Sequence, residues 1–132
     1  MSSVSAEKKS RRGPPAPKTT AAGFDAARKA ILETVAGIPR GKAASYTQVA
    51  FAAGWPGRAR LVGRVLSELL GSERLPWHRV INAQGKIALP IDHPSHAEQR
   101  RRLEAEGLVF LNGRVNFKTQ GWQPGESSPL LD

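Results

Sequence analysis

Gly54-Trp55-Pro56-Gly57 restricts the fold more than any other segment, because two glycines and a proline within four residues end any helix that reaches them. Residues at helical spacing flank this break on both sides. Upstream, Ser45-Tyr46-Thr47-Gln48 fits a capping box, in which the Ser hydroxyl and the Gln side chain satisfy the first free amides of a helix carrying Val49, Ala50 and Ala53. Downstream, a helix is predicted from Arg58 to Leu70. It would bury Ala59, Val62, Leu66 and Leu69 or Leu70 and turn Arg58, Arg60 and Arg64 away. Two short helices joined by a glycine-containing turn make a helix-turn-helix candidate.

The flanking sequence builds a small domain around this pair. Phe24, Ala27, Ile31, Val35 and Ile38 recur at helical spacing until Pro39-Arg40-Gly41 stops the run, which predicts a core-facing helix. Leu75 to Ile81, the turn Asn82-Ala83-Gln84-Gly85 and Lys86 to Leu89 read as a hairpin-like element. Ser95-His96-Ala97-Glu98 reads as a second capping box, opening a helix that runs through Leu103 and stops at Gly107. Asn112-Gly113, between Leu108–Leu111 and Arg114–Phe117, is the strongest hairpin signal in the chain. The fold class is therefore mainly α with small β elements. Residues 1–22 carry Lys8, Lys9, Arg11, Arg12 and Lys18 among Ser, Pro and Ala and read as a disordered basic tail. A domain is expected over residues 23–122 and a flexible tail over 123–132.

At 132 residues with a formal charge of +9 and a pI near 10.9, the chain suits one compact unit with a polyanionic partner. It contains no cysteine, which removes disulfides, thiolate nucleophiles and sulfur-ligated metal sites together. His78, His93 and His96 are the imidazoles, and the last two lack nearby ligands, so no metal and no cofactor are expected. Without an apolar run of about 20 residues or a signal-peptide core, the expectation is a cytoplasmic monomer with no membrane contact, nucleoid-associated if bacterial.

Pro76-Trp77-His78-Arg79-Val80, following the helix pair at short range, resembles the Pro-Cys-His-Arg-Val signature of O6-alkylguanine-DNA alkyltransferases. Trp77 stands where that family keeps its cysteine, the mark of its alkyltransferase-like members. Further matches are Ile38-Pro39-Arg40-Gly41-Lys42, Ser45 to Ala50, Arg60-Leu61-Val62-Gly63, Val80-Ile81-Asn82 and Glu104-Ala105-Glu106-Gly107, so the resemblance runs from about Phe24 to Trp122. It implies the winged helix-turn-helix-like fold of the alkyltransferase C-terminal domain. It also implies double-stranded DNA containing O6-alkylguanine as partner, with base flipping into a pocket and hand-over to nucleotide excision repair proteins. Alkyl transfer needs a thiolate that attacks the carbon on guanine O6, and an indole has no suitable lone pair. The implied role is a non-enzymatic DNA damage sensor.

The resemblance also assigns roles. Tyr46 helps rotate the target phosphate, and Arg60 is the finger that fills the space left by the extruded base. Ala59, Gly63 and Arg64 lie on the DNA-binding helix, placed by the family in the minor groove. The lesion pocket is expected from Tyr46, Trp77, Val80 and Lys86. His78 and Glu106 match the pair that activates the thiol in the enzymes and are assigned with Asn82 to a structural network around Trp77. Arg79 has two readings, a buried clamp on neighbouring carbonyls or carboxylates, or a phosphate contact. Near the pocket rim Leu89 and Pro90 are apolar where some relatives carry a basic residue, leaving Lys86 or Arg74 to supply charge. The alternative function is a winged-helix regulator whose Arg58, Arg60 and Arg64 read a specific DNA sequence in the major groove.

Overall fold

The computed structural model describes residues 21–70 and 74–124. Helix α1 (Ala21–Ala36) leads into β1 (Ala44–Ser45), α2 (Tyr46–Ala52) and α3 (Ala59–Ser67). A single 3₁₀ turn (Trp77–Arg79) then precedes β2 (Val80–Ile81), α4 (Pro94–Ala105), the hairpin β3 (Phe110–Leu111) and β4 (Arg114–Val115), and α5 (Phe117–Gln120). The described residues are mainly helical with two small sheets. No described helix is long and apolar enough to cross a membrane.

The basic stretch expected as a tail lies outside the described residues except for Ala21 and Ala22, which already belong to α1. The final residues, 125–132, also lie outside them. Ala27, Ile31 and Val35 bury the predicted face of α1 against α2 and α3, and Ile38 is buried in the turn that follows the helix. At the start of α2, the amide of Gln48 donates to Ser45 Oγ at 3.0 Å and that of Ser45 to Gln48 Oε1 at 3.4 Å, closing the predicted box. In α3 the buried residues are Leu61, Val62, Val65 and Leu66. Ala59 is only half-buried, because the core-facing stripe of the helix starts two residues later than predicted.

Two expectations fail, the first for a local reason and the second because of a distant partner. The helix α4 is capped by His93, whose Nδ1 accepts from the Ser95 amide at 2.9 Å, with Pro94 in the first turn. Ser95 is thereby drawn inside the helix and buried, so it caps nothing. The segment after Asn82 does turn back, with the Asn82 amide bonded to Lys86 O at 2.9 Å, yet Val80–Ile81 takes no partner from residues 86–89. It pairs instead in parallel with β1, Ala44 opposite Val80 and Ser45 opposite Ile81. The Asn112-Gly113 hairpin forms as predicted, both turn residues at positive φ (54° and 78°). Gly85 serves a close approach, since a Cβ there would lie 2.4 Å from Val115 O.

Hydrophobic burial divides into two clusters. One joins α1, α2 and α3 with Trp77 and Val80; the other gathers Ala43, Ile81, Leu103, Leu108 and Val115 beneath the hairpin. Strand β2 contributes a residue to each, so the signature segment is clamped between both halves of the core.

Candidate nucleic-acid interface and pocket

The parallel pairing of β1 with β2 is what assembles the site. Ser45 is both the last residue of β1 and the cap of α2, so pairing Ser45 with Ile81 fixes Tyr46 beside the Trp77–Val80 segment. A cavity of about 60 Å³ opens there, lined by Tyr46, Gly63, Leu66, Ser67, Leu70, Trp77, Leu89 and Gln99. Its walls are largely apolar, and Trp77 is only 2% exposed. Burial raises the Tyr46 hydroxyl above its ordinary pKa of 10.0, which keeps the phenol protonated and able to donate at neutral pH.

Of the residues expected to line a pocket, Tyr46 and Trp77 do so. Val80 and Lys86 do not. Val80 is fully buried in the first core cluster, because the strand that pairs with β1 turns its side chain inward. Lys86 is exposed in a turn whose neighbour, Gly85, is bonded through its carbonyl to the Val115 amide at 2.8 Å, on the hairpin side. Leu89, expected near the rim, also lines the pocket, whereas Leu66, Ser67, Leu70 and Gln99 are lining residues that the sequence reading missed. For Gln99 a signal exists: Ser95, Gln99 and Leu103 recur four apart and are all buried, a polar residue at core spacing.

The helix α3 presents Arg60, Gly63, Arg64 and Ser67 on its outer face, opposite its buried stripe. A Cβ on Gly63 would meet nothing within 4 Å, so the surface there is open. Arg60 is exposed. Arg64 leans the other way, its guanidinium 5.7 Å from the centroid of the Phe24 ring on α1. The capping position, Arg58, supplies no side-chain bond to the first turn, while its carbonyl accepts from the Leu61 and Val62 amides at 3.0 and 3.2 Å. His93 and His96 bond the Ser95 amide and Leu89 O, and no cluster of three potential metal ligands exists among the described residues.

Beneath the pocket lies a charged network centred on Glu106, whose side chain is 5% exposed. Arg79 donates to both of its oxygens at 2.7–3.2 Å and to Ile38 O at 2.8 Å. His78 Nε2 lies 2.7 Å from Oε2, and the Gly41 amide donates to Oε1 at 3.1 Å. Arg79 is thus placed as an internal clamp on a carboxylate and a carbonyl. Asn82 stands outside the network: its Oδ1 accepts from the amides of Gln84 and Lys86 at 2.9 and 3.0 Å, because an Asx turn claims it first.

Burial disfavours the ionised Glu106, but hydrogen bonds from Arg79, His78 and the Gly41 amide outweigh it and hold the carboxyl at about 2, against 4.5 ordinarily. For His78, burial prevails over the raising influence of Glu106, and its pKa falls below 6.5. A neutral imidazole facing a carboxylate must donate from Nε2. Its Nδ1 therefore keeps a lone pair, buried and without a partner, on a ring set edge-on to Trp77. Both shifts act in one direction on stability. The unfolded chain protonates His78 below pH 6.5 and Glu106 below 4.5 before the folded one does, so acid withdraws stability first from one and then from the other. Thermal melts at a series of pH values should show Tm falling below pH 6.5 and more steeply below 4.5; a flat profile down to pH 3 would contradict the network.

Comparison with known proteins places this arrangement. Residues 26–108 match the family described as 6-O-methylguanine DNA methyltransferase, DNA binding domain. A DNA base-flipping protein of Vibrio parahaemolyticus is 42% identical over 98 residues, spanning 71% of this chain and 93% of that protein. Alkyltransferase-like protein 1 of Schizosaccharomyces pombe is 32% identical over 99 residues, spanning 71% and 92%. The crystal structure of S. pombe Atl1 in complex with damaged DNA containing O6-carboxymethylguanine superposes with a TM-score of 0.70 at 31% identity, covering 76% of this chain and 97% of that one.

Proposed function

The chain belongs to the 6-O-methylguanine DNA methyltransferase DNA-binding-domain family, among its alkyltransferase-like members, and from that premise we propose that it is a non-enzymatic sensor of alkylated DNA. It binds duplex DNA, extrudes an O6-alkylguanine into the pocket between α2, α3 and Trp77, and leaves the alkyl group in place. The observation that carries this reading is Trp77 itself, buried in the pocket wall at the signature position that holds the nucleophile in the enzymes.

The rest of the machinery is consistent with such a loss. His78 and Glu106 remain hydrogen-bonded at 2.7 Å, yet the Nδ1 lone pair of His78 has no thiol proton to take. The chain has no cysteine elsewhere to substitute, so the pair holds the loop around Trp77 and activates nothing. On this reading Tyr46, at the first turn of α2 and in the pocket wall, turns the target nucleotide, and Arg60, at the start of α3, fills its place in the stack. Ala59, Gly63 and Arg64 bring the helix against the backbone. Recognition ends in hand-over to excision repair proteins, since a bound lesion left unrepaired needs a second activity to remove it.

The test compares one duplex with and without a single O6-methylguanine, at fixed and stated salt because phosphate attraction is strongly salt-dependent. Tighter binding to the modified duplex is expected, with the methyl group recovered intact on guanine afterwards. Equal affinities would remove the sensor reading. Recovery of unmodified guanine with stoichiometric protein would remove the non-enzymatic one.

A further inference from the structure

Trp77 is far larger than a cysteine, and its buried ring is held by what surrounds it. Two ring contacts bear on its plane. The imidazole of His78, itself bonded to Glu106, meets it edge-on, with centroids 6.2 Å apart and planes at 88°. Arg102, from α4, places its guanidinium 5.5 Å from the centroid of the indole. That guanidinium is anchored in turn, since Arg102 Nη2 lies 3.2 Å from Glu98 Oε2 one turn back along the helix, the two side chains 18% and 27% exposed. Arg102 is not among the residues that wall the Tyr46–Trp77 pocket. With Arg40, His78, Ala105 and Glu106 it lines a separate cleft of about 290 Å³, so the cation acts on the indole from outside the pocket.

Attraction between a cation and an indole depends on orientation: it is strong over the ring face, where the quadrupole is negative, and is lost at the positive edge. Partial desolvation of the pair raises its weight above that of an exposed contact. Apolar packing is non-directional, whereas this contact favours one ring plane and is given up if the indole turns into the cavity. We propose that Arg102 is a positioning residue for lesion binding, which holds the indole of Trp77 in place as pocket wall and so keeps the cavity open to the extruded base. This rests on the pocket being the lesion site. Glu98 is the tether that keeps the guanidinium over the ring.

The parent protein, Arg102→Met and Arg102→Lys are titrated with a duplex carrying one O6-methylguanine and with the unmodified duplex, at fixed salt. Taking the ratio of the two affinities removes the loss of general phosphate attraction that deleting a charge brings. The ratio should fall roughly 3–10-fold in Arg102→Met, which fills similar space without a cation, and be largely restored in Arg102→Lys. A second measurement separates this contact from packing: Trp77 is replaced by tryptophans with increasing numbers of ring fluorines, which weaken the quadrupole with little change of shape. Lesion preference and Tm should decline stepwise in the parent and stay nearly level in Arg102→Met, the contributions that both proteins share cancelling. An unchanged ratio in Arg102→Met, a lysine variant as poor as the methionine one, or equal responses of the two proteins to fluorination would overturn the assignment. Should Arg102→Met not fold, a parent indifferent to fluorination would overturn it as well. If the parent fails to prefer O6-methylguanine over guanine at all, the sensor reading has failed; if that preference stands and these comparisons are flat, only Arg102 has been misassigned.

Discussion

Glu106→Gln should destabilise the protein by about 3 kcal/mol, the low end for removing one partner of a buried ion pair. The substitution preserves shape and one carbonyl oxygen, so the loss isolates charge. In the parent, Arg79 is 15% exposed and meets the carboxylate with three short contacts, and no other carboxylate approaches it among the described residues. An uncompensated, largely buried guanidinium is the consequence, together with a His78 that faces an amide able to present the wrong end. For a folded unit of roughly 100 residues, this corresponds to a Tm lower by roughly 12–24 °C. Glu104→Gln is the internal control. Its carboxylate pairs with Arg100 at 3.0 Å on the surface, both side chains nearly half exposed, and such i,i+4 pairs contribute about 0.3–0.5 kcal/mol. Denaturant titration of both variants decides the matter: equal, small losses would show that Glu106 is not the hub. The acid limb of the melting profile should also shrink in Glu106→Gln, because the group that withdraws stability below pH 4.5 is gone.

The sequence was readable where structure is set locally and less so where it is set by distant partners. The capping box at Ser45 and the Asn112-Gly113 hairpin each depend on a few adjacent residues, and both appear as expected. Val80–Ile81 depends on Ala44–Ser45, 36 residues earlier in the register, and no local pattern distinguishes that pairing from a hairpin with residues 86–89. The same limit explains the pocket. Tyr46 and Trp77 came from a motif, whereas Leu66 and Leu70 are ordinary core-type residues until α3, the loop and α4 are brought together. Asn82 was lost to the network because its own turn competes for Oδ1, a conflict legible in Asn-Ala-Gln-Gly itself. The shifted cap of α4 is similar: a histidine acceptor before Pro94 outcompetes the more familiar serine two residues on.

Arg60→Ala should remove most of the preference for alkylated over unmodified duplex, lowering the ratio of affinities roughly 10–100-fold, as expected if it offsets a stacking and pairing loss of a few kcal/mol. Its placement supports this size. Gly63 and Ser67 line the cavity, and Arg60 stands one turn before Gly63 on the same outer face, a rise of about 4.5 Å. Its side chain is exposed on the turn that precedes the pocket-lining Gly63, and the finger role asks this planar cation to stack in the vacated position and hydrogen-bond the orphaned base. Arg64, one turn further on, is occupied differently. It lies over Phe24 and points towards α1, so Arg64→Ala should weaken binding to modified and unmodified duplexes alike, by the few-fold that one phosphate contact supplies, and make the salt dependence shallower by about one unit. A fluorescent base analogue beside the lesion reports unstacking directly, and affinities for both duplexes are measured in parallel. If Arg60→Ala unstacks the base and discriminates the lesion as well as the parent does, the finger is elsewhere; if Arg64→Ala is the variant that loses discrimination, the two arginines have exchanged roles and the DNA approaches α3 from the Phe24 side.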